Sequence, residues 1–318
     1  MHQSKNLLTG CLNRKQGGTV RLPIEVSRVK APPIKCQGIK TKLVSFILRS
    51  IVWSGEGKWI EPFLGSGAVL FNLVPRRALA ADNNPHIISF YRGIQTKDIT
   101  ARTVRSFLER EGKLLLSRGE EYYYEVRDRF NSSHNPLDLL FLNRSCFNGV
   151  MRFNKKGGFN VPFCRKTDRF RKAYITKITN QVRWVSDNMH GKDWQFMCAD
   201  WRQTVGLCDQ QDFVYLDPPY FGRNTGYTNC WSKQEMLELI HAVHSLPSGY
   251  ALSFWKRNIY RTNPLIEEHF GGDSIRVFSH DYFVGSTMNL RHKIEEALII
   301  KPECAAVENS LRSTQLQL

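Results

Sequence analysis

The chain has 318 residues, of which 42% are hydrophobic and 12% aromatic. That is enough apolar material for one large or two ordinary folded domains, and it excludes a disordered chain. Lysine and arginine outnumber aspartate and glutamate by 45 to 29, a formal net charge of +16 that favours a polyanionic partner, nucleic acid before a membrane surface.

No apolar run reaches the length of a membrane span, and the N-terminus lacks the apolar core of a signal peptide. The eight cysteines are scattered and contain no C-x-x-C pair, so neither structural zinc nor a disulfide framework is expected, and a reducing cytosol is the natural compartment.

In chain order, residues 1–33 are polar and basic, with Gly17-Gly18 and Pro32-Pro33, and are expected as a flexible extension. Leu43, Phe46, Ile47 and Ile51 follow with the spacing of an amphipathic helix. Trp59-Ile60-Glu61 reads as a short strand that enters the turn Pro62-Phe63-Leu64-Gly65-Ser66-Gly67. A helix starts at Ala68, and Arg77–Asp82 reads as a second strand ending in an acid.

Residues 85–140 carry helical patterns. The segment Arg144–Lys172 differs: it holds nine lysines and arginines against one acid, Asp168, and asparagines and glycines break it into loops. Phe147, Val150, Met151, Phe153 and Phe159 are set among its charges. Trp194–Asp200 is expected as a strand ending in another acid. Phe213-Val214-Tyr215-Leu216 is a buried strand that Asp217-Pro218-Pro219-Tyr220 must end, because neither proline can donate to a ladder. A helix over Ser232–Leu246 and strands at Tyr250–Phe254, Ile275–Phe278 and Ile294–Lys301 complete an α/β pattern, with residues 303–318 expected to fray.

Three constellations carry chemistry. First, Gly65 and Gly67 allow close backbone approach, but Leu70 stands where a dinucleotide fingerprint has its third glycine. Asp82 can still accept hydrogen bonds from a ribose, which favours a nucleoside cofactor without a pyrophosphate. S-adenosylmethionine fits, with Lys40, and less readily Lys35, placed to meet its carboxylate.

Second, Asp217-Pro218-Pro219-Tyr220 sits at a strand's carboxyl end, where open α/β sheets bind ligands. The exocyclic amine of a base is a poor nucleophile because its lone pair is delocalised. Acceptors on its N–H groups, the Asp217 carboxylate and the Pro218 carbonyl, would free that pair, and Tyr220 offers a ring for stacking. Such a target must leave the duplex.

Third, the basic segment supplies Arg152, Lys155, Lys156, Arg165, Lys166, Arg169 and Arg171 for phosphates. Asn148 and Arg152 are candidates for base edges.

These motifs in this order resemble the Dam family of adenine-N6 DNA methyltransferases. Glu61–Gly67 is similar to the family's cofactor motif and Asp217–Tyr220 to its catalytic motif. Leu142-Asn143-Arg144, Asn148–Asn154 and Gly158–Phe163 are similar to its recognition segment.

The resemblance covers roughly residues 33–302. It implies a Rossmann-like S-adenosylmethionine-dependent methyltransferase sheet, over residues 34–84 and 173–302, with a mainly helical target-recognition insert over 85–172. It places cofactor contacts at Cys36, Lys40, Asp82 and Asp217, alongside Glu61, Phe63, Gly65, Gly67 and Asp200. Catalysis would fall to Asp217, Pro218, Pro219 and Tyr220. DNA contacts would fall to Arg144, Asn148, Val150, Arg152, Asn154, Lys155, Lys156 and Arg165, with Arg152 on the outer guanine of GATC.

The implied partner is double-stranded DNA, without metal or membrane, and the implied form a monomer or weak dimer. Two departures stand out: in the family's Lys-Trp-Ala-Gly-Gly-Lys loop Cys36 replaces the tryptophan and Ile39 one of the glycines; and Cys164 stands where a glycine is usual after the recognition segment. Alternatives are a DNA-binding homologue with weakened catalysis, or a methyltransferase acting on cytosine N4, RNA or protein glutamine.

Overall fold

A computed structural model describes residues 19–219, 231–257, 261–283 and 291–307. Seven strands form one sheet: β1 (Trp59–Glu61), β2 (Arg77–Asp82), β3 (Asp193–Cys198), β4 (Phe213–Leu216), β5 (Gly249–Arg257), β6 (Ser274–Phe283) and β7 (Arg291–Ile300). Their order across the sheet is β3-β2-β1-β4-β5-β7-β6. The first five are parallel, and β7 is antiparallel to both β5 and β6.

The chain builds outward from β1 to β3, then returns to β4 beside β1. The strand order therefore reverses between β1 and β4, and in open α/β sheets the ligand crevice lies at the carboxyl ends at such a point.

Alternation along the strands sorts two cores. Trp59, Ala78, Phe213 and Tyr215 face one side, while Ile60, Leu79, Val214 and Leu216 face the other. The first face continues into helices α1 (Val44–Ser50), α2 (Ala68–Leu73) and α3 (Pro85–Gln95). Beyond these lie α4 (Ala101–Arg118), α5 (Glu120–Ser133), α6 (Pro136–Ser145) and α7 (Lys172–Met189). The second face is covered by α9 (Lys233–His244) and α10 (Pro264–His269), while the short α8 (Trp201–Val205) follows β3.

Helix starts follow local chemistry. Asn84 and Asn135 cap α3 and α6, each followed by a proline whose missing N–H costs nothing there, and Ser232 with Glu235 forms a capping box on α9.

Three expected boundaries shift. Residues 19–33 are not loose: Leu22 is buried and pairs with Trp53, and the Ile24 N–H donates to Leu48. Their apolar residues, sparse in sequence, find partners only in the folded core. Residues 304–306 are also packed, with Ala306 buried and Ala305 bridged to Ile51. Residues 1–18 and 308–318 lie outside the described set.

The expected insert boundary at residue 84 cuts α3 from the sheet it serves. From α3, the Arg92 Nε donates to the Phe196 carbonyl and the Gln95 amide to the Trp194 carbonyl. Packing thus ties α3, through Gln95, to the sheet.

Candidate active site

The turn after β1 is built by two left-handed glycines, Gly65 (φ 50°) and Gly67 (φ 70°). At Gly67 a Cβ would lie 2.4 Å from the Phe71 ring, so this glycine is required by packing against α2. At Gly65 a Cβ would meet only Cys36, at 3.9 Å, so its open side faces the loop before α1.

Asp82, ending β2, fixes the turn. Its Oδ2 accepts from the Gly65 N–H and its Oδ1 from the Asn84 N–H, both at 2.8 Å. Burial pushes the Asp82 carboxyl up, and these two N–H groups pull it back. Each oxygen keeps a second lone pair, which suits a ribose diol.

Glu61 lies deeper. It is 3% exposed and accepts from the Trp59 indole at 2.8 Å. Burial pushes its carboxyl up to about 8, with Trp59 opposing and Asp217 adding to the rise. It is therefore protonated at neutral pH and belongs to the support beneath the site.

At the end of β4, the Asp217 Oδ1 lies 2.7 Å from the Lys40 Nζ, and Glu296 of β7 is 3.7 Å from the same ammonium. Lys40 also donates to the Gly38 carbonyl at 3.1 Å. Burial pushes the Asp217 carboxyl above its ordinary value, Lys40 opposes, and Glu296 adds to the rise. The Cys36 thiol is pushed well up by burial, with Asp82 and Asp217 both acting on it.

Cys36, Lys40, Glu61, Gly65, Asp82 and Asp217 thus gather where the strand order reverses. A neighbouring cation and carboxylate match a zwitterion, and Asp82 matches a diol, so the donor set fits S-adenosylmethionine. Pro218 and Pro219 follow directly, and Tyr220 lies outside the described residues. Phe63 is half-buried on the second face of the sheet, edge-on to Trp231 at 5.6 Å. Asp200 is engaged elsewhere: it caps α8 through the Arg202 N–H and pairs with the Arg202 guanidinium at 3.2 Å.

The basic segment forms a small hairpin-like unit. Phe153 bridges Phe159, the Asn160 N–H donates to the Arg152 carbonyl, and the Arg152 Nε donates to the Asn160 side chain at 2.8 Å. Arg152, Lys155, Lys156, Arg165 and Asn148 are exposed, and Val150 is half-buried.

One expectation needs correction. Arg144 does not face outward: it is 3% exposed, donates to the Pro33 carbonyl and bonds Gln181 at 2.7 Å. Asn154 is exposed and organises the hairpin tip, its Oδ1 accepting from the N–H groups of Lys156 and Gly158.

Sequence reasoning missed Asn72 and Asn143 as working residues. Both are buried amides within or just after apolar helical runs. A buried amide must be hydrogen-bonded, so that placement was the available signal.

A family model described as D12 class N6 adenine-specific DNA methyltransferase matches residues 37–285, and the chain belongs to this family. Among relatives, it is 32% identical over 205 residues to the type II methyltransferase M.MjaIII of Methanocaldococcus jannaschii, covering 59% of this chain and 68% of that protein. It is 32% identical over 193 residues to a DNA adenine methylase of Vibrio cholerae, covering 59% of this chain and 64% of the relative. A longer match, 26% over 257 residues, is to M1.LlaDCHI of Lactococcus lactis, covering 76% and 85%. Against the Vibrio methylase the chain thus spans just under two thirds of the relative's length. Among the described residues no helix is long and apolar enough to cross a membrane.

Proposed function

We propose that this protein methylates the N6 amine of adenine in double-stranded DNA, with S-adenosylmethionine as methyl donor and GATC as target. The observation that carries the reading is the 2.7 Å Lys40–Asp217 pair at the reversal of strand order, with Cys36 and Asp82 beside it. Lys40 would hold the cofactor carboxylate, Asp217 its ammonium, and Asp82 its ribose. When bound, the cofactor supplies an electrophilic methyl group on a sulfonium.

The protein's own contribution is positioning and charge placement. Asp217 and the Pro218 carbonyl accept the N–H groups of the flipped adenine and stabilise positive charge developing on its nitrogen. Tyr220 stacks on the flipped base. Arg152, braced by Asn160, is suited to a guanine edge, while Lys155, Lys156 and Arg165 meet phosphates.

The test is incubation of a GATC duplex with methyl-labelled S-adenosylmethionine, followed by nucleoside analysis. N6-methyl-2′-deoxyadenosine as the labelled product supports the reading. Label on cytosine N4, or on added RNA or protein instead of the duplex, would overturn it.

A further inference from the structure

The stretch Lys30–Cys36 is a strap that delivers Cys36 to the cofactor site, and its Pro32-Pro33 step removes two backbone donors. Side chains from other elements satisfy its backbone.

Asn72 on α2 accepts from the Lys30 N–H at 2.9 Å and donates to the Lys30 carbonyl at 2.8 Å. Asn143 on α6 repeats this at Lys35, accepting from its N–H and donating to its carbonyl, both at 2.9 Å. Each amide imitates one step of a β-ladder, using both of its hydrogen-bonding ends. Arg144 on the Pro33 carbonyl and Gln181 on the Ala31 carbonyl fill the interval.

The two clamps differ in what lies behind them. Asn72 belongs to the helix that follows the glycine turn, and its amide also donates to Ala68 at 2.7 Å. Asn143 leads directly into the turn Phe147–Gly149 of the recognition segment, and its amide reaches the Gly149 carbonyl at 3.4 Å. Gly149 itself is so close to the strap that a Cβ there would lie 2.6 Å from the Lys35 Cδ. The recognition turn and the cofactor strap therefore meet through one fully buried amide.

We infer that Asn143 is a positioning residue that couples DNA occupancy of the recognition turn to cofactor occupancy of the Cys36–Lys40 loop, whereas Asn72 anchors the same strap without coupling it. The inference rests on the proposed function. Ordering the turn fixes Asn143, Asn143 fixes the Lys35 peptide, and Cys36 follows. Because such coupling is reciprocal, the cofactor tightens DNA binding by the same factor.

The test measures affinity for S-adenosylhomocysteine, the unreactive product, with and without a GATC duplex. In the wild type the duplex is expected to tighten binding by at least about fivefold, the lower end of ordinary coupling. Asn143→Asp, which keeps the acceptor but cannot donate to the Lys35 carbonyl, is expected to bring that ratio to within about twofold of one. Asn72→Asp is expected to weaken cofactor binding equally in both conditions and leave the ratio unchanged.

A wild-type ratio of one, an unchanged ratio in Asn143→Asp, or a fall of the ratio in Asn72→Asp as large as in Asn143→Asp would overturn the inference. Hydrogen exchange on the wild type gives a second reading free of folding defects. Duplex alone should slow exchange at the Lys35 and Cys36 amides, and unchanged exchange there would overturn the coupling. A wild type that binds neither S-adenosylhomocysteine nor duplex would instead overturn the proposed function beneath it.

Discussion

The crevice at the carboxyl end of β1 and β4 and the basic hairpin at Arg152–Asn160 handle charge in opposite ways. In the crevice, Glu61, Asp82, Asp217 and Lys40 are crowded together with their pKa values or partners set by burial. In the hairpin, cations stand in solvent and only Arg152 is braced, by Asn160. Chemistry on a weak nucleophile needs fixed charges in a dry place, where they act strongly. A polyanion needs cations that are accessible, and it exchanges counterions for them. On the proposed function, one chain would meet both needs by placing the first at the end of a rigid sheet and the second on short loops.

Substitutions can break this contrast. Asp217→Ala should remove an acceptor from the reacting amine and lower kcat by about 10²–10³-fold while the protein stays folded, as read by labelled methyl transfer and circular dichroism. Among the helices beside the basic segment the comparable effect should be on folding. Arg129 bonds Glu111 at 2.7 Å and also pairs with Asp138, and both acids are 2% exposed. Arg129→Ala should cost about 3 kcal/mol in urea unfolding, because it removes the cation paired with buried Asp138 and leaves buried Glu111 with Arg110 alone. An unchanged midpoint would refute that role.

The buried carboxyl beneath the crevice should appear in the pH dependence of stability. Glu61 is raised to about 8 in the fold, so between its ordinary value and about 8 the folded state holds a proton that the unfolded state has lost. Its contribution is fully present below the ordinary carboxylate range and is lost as pH rises through about 8. Glu61→Gln should flatten that fall by about 1.4 kcal/mol per pH unit within the window, measured as the difference between variant and wild-type unfolding curves. Parallel curves would show that Glu61 does not hold the proton.

The smallest effects should sort the hairpin cations. Arg152→Ala should cost about 1–3 kcal/mol on the preferred sequence and relax sequence choice. Lys156→Ala should weaken all duplexes similarly and lower the salt slope by about 1. If both behave alike, the division between base reading and phosphate contact fails.

The sequence foretold much of the crevice because its parts are local. A strand, a glycine turn, a strand ending in Asp82, and a strand stopped by Pro218-Pro219 can each be seen within ten residues. What it hid depends on distant partners. Arg144 lies in a basic segment and has the composition of a phosphate contact, yet the Pro33 carbonyl and Gln181 hold it inside. Residues 19–33 look like a loose arm, yet Leu22, Asn72 and Arg144 tie them to the body. The helix α3 looks like the start of the insert, and only its bonds to β3 return it to the sheet.

The most direct test of the central claim is methylation of a mixed-sequence duplex with S-adenosylmethionine, followed by mapping of each modified base. The account predicts N6-methyladenine at GATC sites and its loss in Asp217→Ala. Modification of cytosine, or of adenines without regard to GATC, would contradict it.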